Sequence, residues 1–197
     1  MSKSNKQWLR RHVTDPYVRK AKEQGYRSRA AFKLLQLDEK EKFLRPGMSV
    51  LDLGAAPGGW SQVAAKKVGP AGHVVAIDLL EIAPISGVTV IRGDFREKLP
   101  QDVKADVVLS DLSPNLSGIR DVDQARSLEL TEAAVDVCRK VLKPSGTFVT
   151  KAFHGGEFQA LKVALGAAFA EVRVVKPGAS RGESRETYFV CRQLSSA

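Results

Sequence analysis

The feature that most constrains the fold of this chain is a short apolar segment that runs through a glycine-rich turn into a helix-like pattern. Ser49–Leu53 has the composition of a buried strand, and residues 59–67 have the apolar spacing of a helix. Small side chains between them let the backbone pass close to a ligand. The spacing of Gly54, Gly58 and Gly59 differs from G-x-G-x-x-G, and no Gly-Lys-Ser/Thr follows, so a nucleoside triphosphate loop is excluded.

Strand-like and helix-like segments alternate along the rest of the chain. Further strands are predicted at residues 73–77, 88–91, 105–109, 147–150, 172–175 and 187–191, and helices at 123–141 and 158–169. Alternation of this kind is typical of a mostly parallel sheet with helices on both faces. The final two strands are joined by a loop without room for a crossover helix, so we expect them to pair antiparallel. The predicted fold class is α/β, with a Rossmann-like, seven-stranded, mostly parallel sheet and an antiparallel last strand.

The N-terminal quarter carries nearly all of the excess positive charge. Residues 1–45 hold 13 basic and 5 acidic side chains, a net charge of +8, while the whole chain has +9. The aromatic residues among these charges are Trp8, Tyr17, Tyr26 and Phe32. This mixture favours a nucleic-acid partner over a membrane surface, with the aromatic rings anchoring the segment or stacking on bases.

Two short helices are predicted in this segment, one over residues 15–24 and one from an N-cap at Ser28 to about Lys40. A turn at residues 45–47 ends it. We therefore divide the chain into a basic helical extension, 1–45, and a catalytic domain, 46–197, which together form one compact unit.

Carboxylates recur where successive predicted strands end. Asp78 follows the second strand, at the position that usually meets ribose hydroxyls, and Asp94 follows the third, where it can accept from an adenine amino group. Asp111 ends the fourth strand. Each residue alone reads as a helix cap or surface charge, but three of them beside the glycine turn that follows Asp52 favour a cofactor that contains a nucleoside.

Cysteine and histidine usage favours neither disulfides nor metal binding. Cys138 and Cys191 fall in apolar segments, and His12, His73 and His154 lack the spacing of metal ligands. No apolar run is long enough to cross a bilayer, and no export signal is apparent. We expect a cytoplasmic, monomeric protein with free thiols and no metal.

Five motifs resemble those of one family. The turn DLGAAPGGWS at residues 52–61 is similar to the cofactor motif of the FtsJ-type ribosomal RNA 2′-O-methyltransferases. The motifs SRAAFK at 28–33, SDLSPN at 110–115, FVTK at 148–151 and SRETY at 184–188 follow in the order of that family. The segment FHGG at 153–156 departs from close relatives, but it removes no catalytic position.

The resemblance implies a Rossmann-like methyltransferase fold and S-adenosylmethionine as cofactor. The cofactor contacts that it implies fall on Gly58, Trp60, Asp78, Asp94 and Asp111. The catalytic set that it implies is Lys33, Asp111, Lys151 and Glu186. The implied substrate is the ribose 2′-hydroxyl of a uridine in large-subunit (23S) rRNA, in the A-site loop, with the large ribosomal subunit meeting the basic N-terminal face.

Lysine-assisted displacement requires a neutral amine, and the ordinary lysine pKa is about 10.4. Burial and a second ammonium in the same pocket both lower such a pKa, whereas nearby carboxylates raise it. Lys151 ends a core strand, so we assign it as general base, and Lys33 as the group that orients the hydroxyl or stabilises the developing negative charge. Asp111 positions Lys151, and Glu186 holds the lysines in register. Without the motifs, two structural ion pairs would be the preferred interpretation.

Four alternatives remain at this point. A base methyltransferase is disfavoured because the loop 111–115 has no stacking aromatic residue, and neither cysteine lies at a strand-end loop. The acceptor can instead be another RNA, such as a tRNA. A non-catalytic RNA-binding factor for ribosome assembly is possible on the same fold. A nicotinamide dehydrogenase would need substrate-domain material for which this chain has little space.

Overall fold

The computed structural model describes residues 14–100, 103–114, 117–156, 158–180 and 184–195. The helices within these residues are α1 (Pro16–Glu23), α2 (Ala30–Glu41), α3 (Gly59–Val68), α4 (Arg120–Val141) and α5 (Phe158–Ala168). The strands are β1 (Ser49–Leu53), β2 (His73–Asp78), β3 (Val88–Arg92), β4 (Ala105–Ser110), β5 (Leu142–Phe153), β6 (Phe169–Val175) and β7 (Glu186–Leu194). None of the helices so described combines the length and apolar character needed to cross a membrane.

The seven strands form one sheet in the order β3-β2-β1-β4-β5-β7-β6. The first five strands pair in parallel, and β7 lies antiparallel between β5 and β6. The predicted fold class and the antiparallel pairing of the last two strands are thus confirmed. Because β1 to β4 are parallel, their carboxyl ends meet at one edge of the sheet, the edge at which ligands bind in such folds.

Helices cover both faces of the sheet, as predicted. On one face, α4 and α5 bury residues such as Cys138 and Leu165 against β1, β4 and β5. On the other face, α2 and α3 bury Leu34, Leu37 and Val63 against alternate residues of the same strands. Helix α2 therefore belongs to the core beneath the carboxyl edge of the sheet, although it lies in the basic N-terminal segment.

The N-terminal helices begin at positions other than those predicted. Asp15 caps α1 by accepting from the Tyr17 amide at 3.0 Å. The prediction of Ser28 as the N-cap of α2 was wrong, because Arg29 occupies the N-cap and no side chain caps the helix. The Ser28 hydroxyl is instead buried without a hydrogen-bond partner and faces Gly59, where a Cβ would lie only 2.5 Å away.

The aromatic residues of the segment serve as anchors. The Tyr17 and Tyr26 rings lie 5.4 and 5.7 Å from the buried Phe32 ring, in one small apolar cluster. Trp8 lies outside the described residues. Among the basic side chains of this segment, Arg19 and Lys20 are exposed. Arg27 and Lys33 instead donate to groups within the protein, as described below.

Candidate active site

A cavity of about 670 Å³ opens at the carboxyl edge of the sheet. Its walls come from the loops after β1, β2, β3 and β4 and from the first half of α4. The carboxylates among the lining residues are Asp78, Asp94, Asp111 and Glu129. The apolar lining includes Ile77, Leu79, Phe95, Leu112 and Leu130. Apolar walls with a few convergent carboxylates suit a ligand that combines a flat ring with hydroxyl and amino groups.

The glycine-rich turn forms the floor of this cavity. Gly54 has φ +70°, and a Cβ there would overlap the Leu112 side chain, so this position requires glycine. Asp78 fixes the turn from β2, because its carboxylate accepts from the Ala56 amide at 2.9 Å and from the Leu80 amide at 2.8 Å. The loops after β1 and β2 are thereby held together.

Arg27 ties the N-terminal segment to the same turn. Its guanidinium donates to the carbonyl oxygens of Ala83 at 2.7 Å, Pro84 at 2.7 Å and Pro57 at 3.2 Å. Its own amide donates to the Gln62 side chain of α3 at 2.8 Å. Arg27 belongs to the basic segment 1–45, for which the sequence predicts contact with RNA, but its guanidinium donates to backbone carbonyls of the loops after β1 and β2.

Three of the five predicted cofactor residues, Asp78, Asp94 and Asp111, line the cavity. Asp94 is held by Arg96, whose guanidinium contacts both carboxylate oxygens at 2.5 to 3.0 Å. These hydrogen bonds keep the pKa of Asp94 below its ordinary value. The carboxylate is therefore ionised at neutral pH and remains an acceptor.

The other two, Gly58 and Trp60, are not among the residues described as lining it. Trp60 is 3% exposed, and its indole nitrogen donates to the Ala30 carbonyl at 2.9 Å. Its ring packs 5.6 Å from the Tyr188 ring. Trp60 thus joins α2 and β7 beneath the turn, and a direct contact with a cofactor stays a prediction.

The four predicted catalytic residues meet beside the cavity as two ion pairs. Lys33 Nζ, from α2, lies 2.7 and 2.8 Å from the two carboxylate oxygens of Glu186, at the start of β7. Lys151 Nζ, from β5, donates to the Asp111 carbonyl at 2.8 Å and lies 3.4 Å from its carboxylate. Four elements far apart in sequence are therefore needed to assemble this set.

Tyr188 connects the two pairs and was missed from the sequence. Its hydroxyl lies 3.0 Å from Asp111 Oδ1 and 2.9 Å from Glu186 Oε1, and its single proton serves one carboxylate at a time. Burial, followed by the charges of Asp111 and Glu186, holds the Tyr188 pKa well above its ordinary value. The available signal was its place two residues after Glu186, on the same face of a strand.

Burial and neighbouring charges act in opposite directions on the acids of the site. Burial raises the pKa of Glu186, but the charge and hydrogen bond of Lys33 outweigh it and leave this pKa below the ordinary value. For Asp52, burial dominates and raises the pKa to about 7, and the charges of Asp111 and Asp78 add to it. The Ser61 hydroxyl donates to one Asp52 oxygen at 2.6 Å, while the other oxygen has no hydrogen-bond partner in the described part of the chain.

The strand order, the turn at the carboxyl edge and the paired lysines and carboxylates define a Rossmann-like methyltransferase. The family described as FtsJ-like methyltransferase matches residues 26–194, and the chain belongs to this family. The resemblance found in the motifs is thereby confirmed. This membership excludes the nicotinamide dehydrogenase.

Two curated relatives and one solved structure show the extent of the similarity. The chain is 48% identical over 197 residues to the ribosomal RNA large subunit methyltransferase E of Nitrosospira multiformis, with 96% of each chain covered. It is 50% identical over 195 residues to the protein of the same name from Alcanivorax borkumensis, covering 95% of this chain and 94% of that one. A structure described as a ribosomal RNA methyltransferase from Plasmodium falciparum superposes with a TM-score of 0.76 at 31% identity, covering 87% of this chain and all of that one.

Proposed function

We propose that this enzyme transfers the methyl group of S-adenosylmethionine to the ribose 2′-hydroxyl of a uridine in the A-site loop of large-subunit rRNA, working as a monomer in the cytoplasm. The observation that carries this proposal is the paired set of Lys33–Glu186 and Lys151–Asp111 beside the cavity. The names of the curated relatives support ribosomal RNA as the substrate.

The residues of the cavity fit S-adenosylmethionine. Asp78 offers carboxylate oxygens suited to the ribose hydroxyls, and Asp94 is suited to an adenine amino group. Asp111, which also lines the cavity, is suited to the positive end of the molecule. When bound, the cofactor supplies a methyl carbon activated by its sulfonium.

The chain's own residues then handle the hydroxyl and its proton. We assign Lys151 to take the proton of the ribose 2′-hydroxyl as this oxygen attacks the methyl carbon that the bound cofactor would supply, a role that requires an uncharged amine. Asp111 fixes the Lys151 amine through its carbonyl at 2.8 Å. Lys33, held by Glu186, donates toward the developing negative charge on the oxygen. Positioning of this kind supplies a large part of a displacement rate.

Substitution of Lys151 tests the base assignment. Lys151→Met removes the amine, and Lys151→Arg keeps a positive charge that does not deprotonate in proteins. We expect both variants to lower single-turnover methyl transfer by about 10²- to 10⁴-fold, the usual contribution of a general base. Calorimetric titration with S-adenosylmethionine should give unchanged affinity and so show that both variants fold.

The outcomes separate the alternatives. Near wild-type transfer by Lys151→Arg would assign Lys151 an electrostatic role and refute its role as base. Binding of RNA by the wild type without any methyl transfer would support the assembly-factor alternative. Mapping of 2′-O-methyl positions in rRNA and tRNA from a deletion strain identifies the acceptor, because the missing mark is the target.

A further inference from the structure

A column of three stacked rings rises from the core to the surface on the α5 side of the sheet, the face opposite to Tyr188 and the ion pairs. Phe189 of β7 is fully buried, and the Phe158 ring stacks on it with 5.1 Å between centroids and 25° between planes. The His154 imidazole stacks on Phe158 in turn, at 4.4 Å and 29°. His154 itself is exposed, so the column ends in an aromatic ring that faces solvent.

The position of this ring is fixed relative to the ion pairs. His154 follows the end of β5, three residues beyond Lys151, so the two Cα atoms are at most about 10 Å apart at the rise of a strand. Its ring belongs to the α5 face and Lys151 to the other, so an RNA strand that contacts both must cross the edge of the sheet. The His154 amide donates to the Arg185 carbonyl at 2.8 Å. Arg185 precedes Glu186, which pairs with Phe153 in the sheet. The backbone of His154 is thus bonded to the segment that delivers a catalytic carboxylate.

We propose that the exposed face of His154 is a stacking platform for the base of the nucleotide that adjoins the methylated one. This inference rests on the proposed function, because it requires an RNA strand at Lys151. Unpaired RNA bases stack on aromatic side chains without regard to sequence. A ring already held parallel to Phe158 loses little conformational entropy when a base covers its other face.

The platform gives this chain a contact that a non-aromatic residue at position 154 would lack. Histidine can in addition donate or accept through its ring nitrogens at the base edge. Stacking on His154 should strengthen RNA binding and hold the target ribose in position. The proton transfer at Lys151 involves no atom of His154. His154 is therefore a positioning residue, and its loss should raise the KM for RNA more than it lowers kcat.

Ring-preserving and ring-removing variants test the platform. With rRNA as substrate, His154→Ala should raise the KM for RNA by about 5- to 150-fold, the equivalent of 1–3 kcal/mol per stacked base. His154→Tyr and His154→Phe retain a stacking face and should stay within a few-fold of wild type. All three should keep the wild-type affinity for S-adenosylmethionine, measured by calorimetry, and a near wild-type kcat at saturating RNA.

An abasic substrate completes the test. With an RNA fragment that lacks the base next to the target nucleotide, the KM of wild type should rise by the same factor. The KM of His154→Ala for this fragment should be no higher than its KM for the intact RNA. An unchanged KM for His154→Ala, or equal losses for the alanine and aromatic variants, would overturn the platform while leaving the methyl transfer of wild type intact. Absence of methyl transfer to rRNA by wild type would overturn the proposed function, and the platform with it.

Discussion

Asp52 provides a quantitative test of how the site balances burial against charge. This carboxylate is 1% exposed, its Oδ2 accepts from the Ser61 hydroxyl, and its Oδ1 has no hydrogen-bond partner among the described residues. Its pKa of about 7 in the folded protein, instead of the ordinary 3.8, means that ionisation disfavours the folded state. A difference of this size corresponds to about 4 kcal/mol of folding free energy.

The sign and the pH window follow from these two pKa values. Below pH 3.8, Asp52 is protonated in both states and costs nothing. As the pH rises from 3.8 to about 7, the unfolded chain releases the proton while the folded protein retains it, so stability falls. Above pH 7 the loss is complete and constant. Burial is the main cause, so an uncharged side chain of the same shape should remove the effect.

Asp52→Asn is that change, because its amide oxygen still accepts from Ser61. We expect the variant and wild type to have similar stability near pH 4, and the variant to be more stable by up to about 4 kcal/mol at pH 8. Urea unfolding followed by circular dichroism, at several pH values and constant ionic strength, measures the difference. Other titrating groups act on both proteins and largely cancel.

Ser61→Ala is the matched control. The Ser61 hydrogen bond lowers the pKa of Asp52, so its removal should raise that pKa further and extend the fall in stability to higher pH. A difference between wild type and Asp52→Asn that stays constant from pH 4 to pH 8 would refute the reasoning.

Two further predictions concern residues that hold the site together. Tyr188→Phe removes the hydroxyl shared by Asp111 and Glu186, so methyl transfer should fall by about tenfold and stability by about 1 kcal/mol; single-turnover kinetics with an unchanged rate would contradict this. Arg27→Lys keeps the charge but cannot reach three carbonyls at once, so the affinity for S-adenosylmethionine should fall by about tenfold while RNA affinity changes little. Calorimetric titration measures the affinity for S-adenosylmethionine, and filter binding measures the affinity for RNA. A loss of RNA affinity with unchanged affinity for S-adenosylmethionine would show that Arg27 contacts RNA.

Local sequence patterns predicted the elements well because apolar periodicity is a local property. Their ends were less predictable: β5 begins at Leu142, which pairs with Ala105 of β4, whereas regular pairing resumes only at Thr147. Residues 143–146, which have the composition of a turn, fall within this irregularity of the register. The cap at Ser28 failed for a related reason. Packing against Gly59 of α3 buries the hydroxyl, and no local rule contains that neighbour.

The sequence likewise predicted one part of the candidate site and not the other. Motifs predicted the residues Lys33, Asp111, Lys151 and Glu186, which the fold brings together. Side-chain direction depends on tertiary packing, so the motif did not reveal that Trp60 turns into the core. Nor did it reveal the bridging hydroxyl of Tyr188, whose partner Asp111 lies 77 residues earlier in the chain.

The antiparallel insertion of β7 has a consequence for biosynthesis. The sheet edge β6 has no neighbour until β7, the last of the described strands in chain order, enters between it and β5. Glu186 and Tyr188 arrive on that same strand. A nascent chain that has not reached β7 already contains the turn and the carboxylates of the cavity, but it lacks Glu186, one of the four residues proposed for catalysis, and the Tyr188 hydroxyl. We therefore expect a chain that terminates before residue 186 to be inactive, because it lacks both the proposed catalytic carboxylate and the strand that completes the sheet.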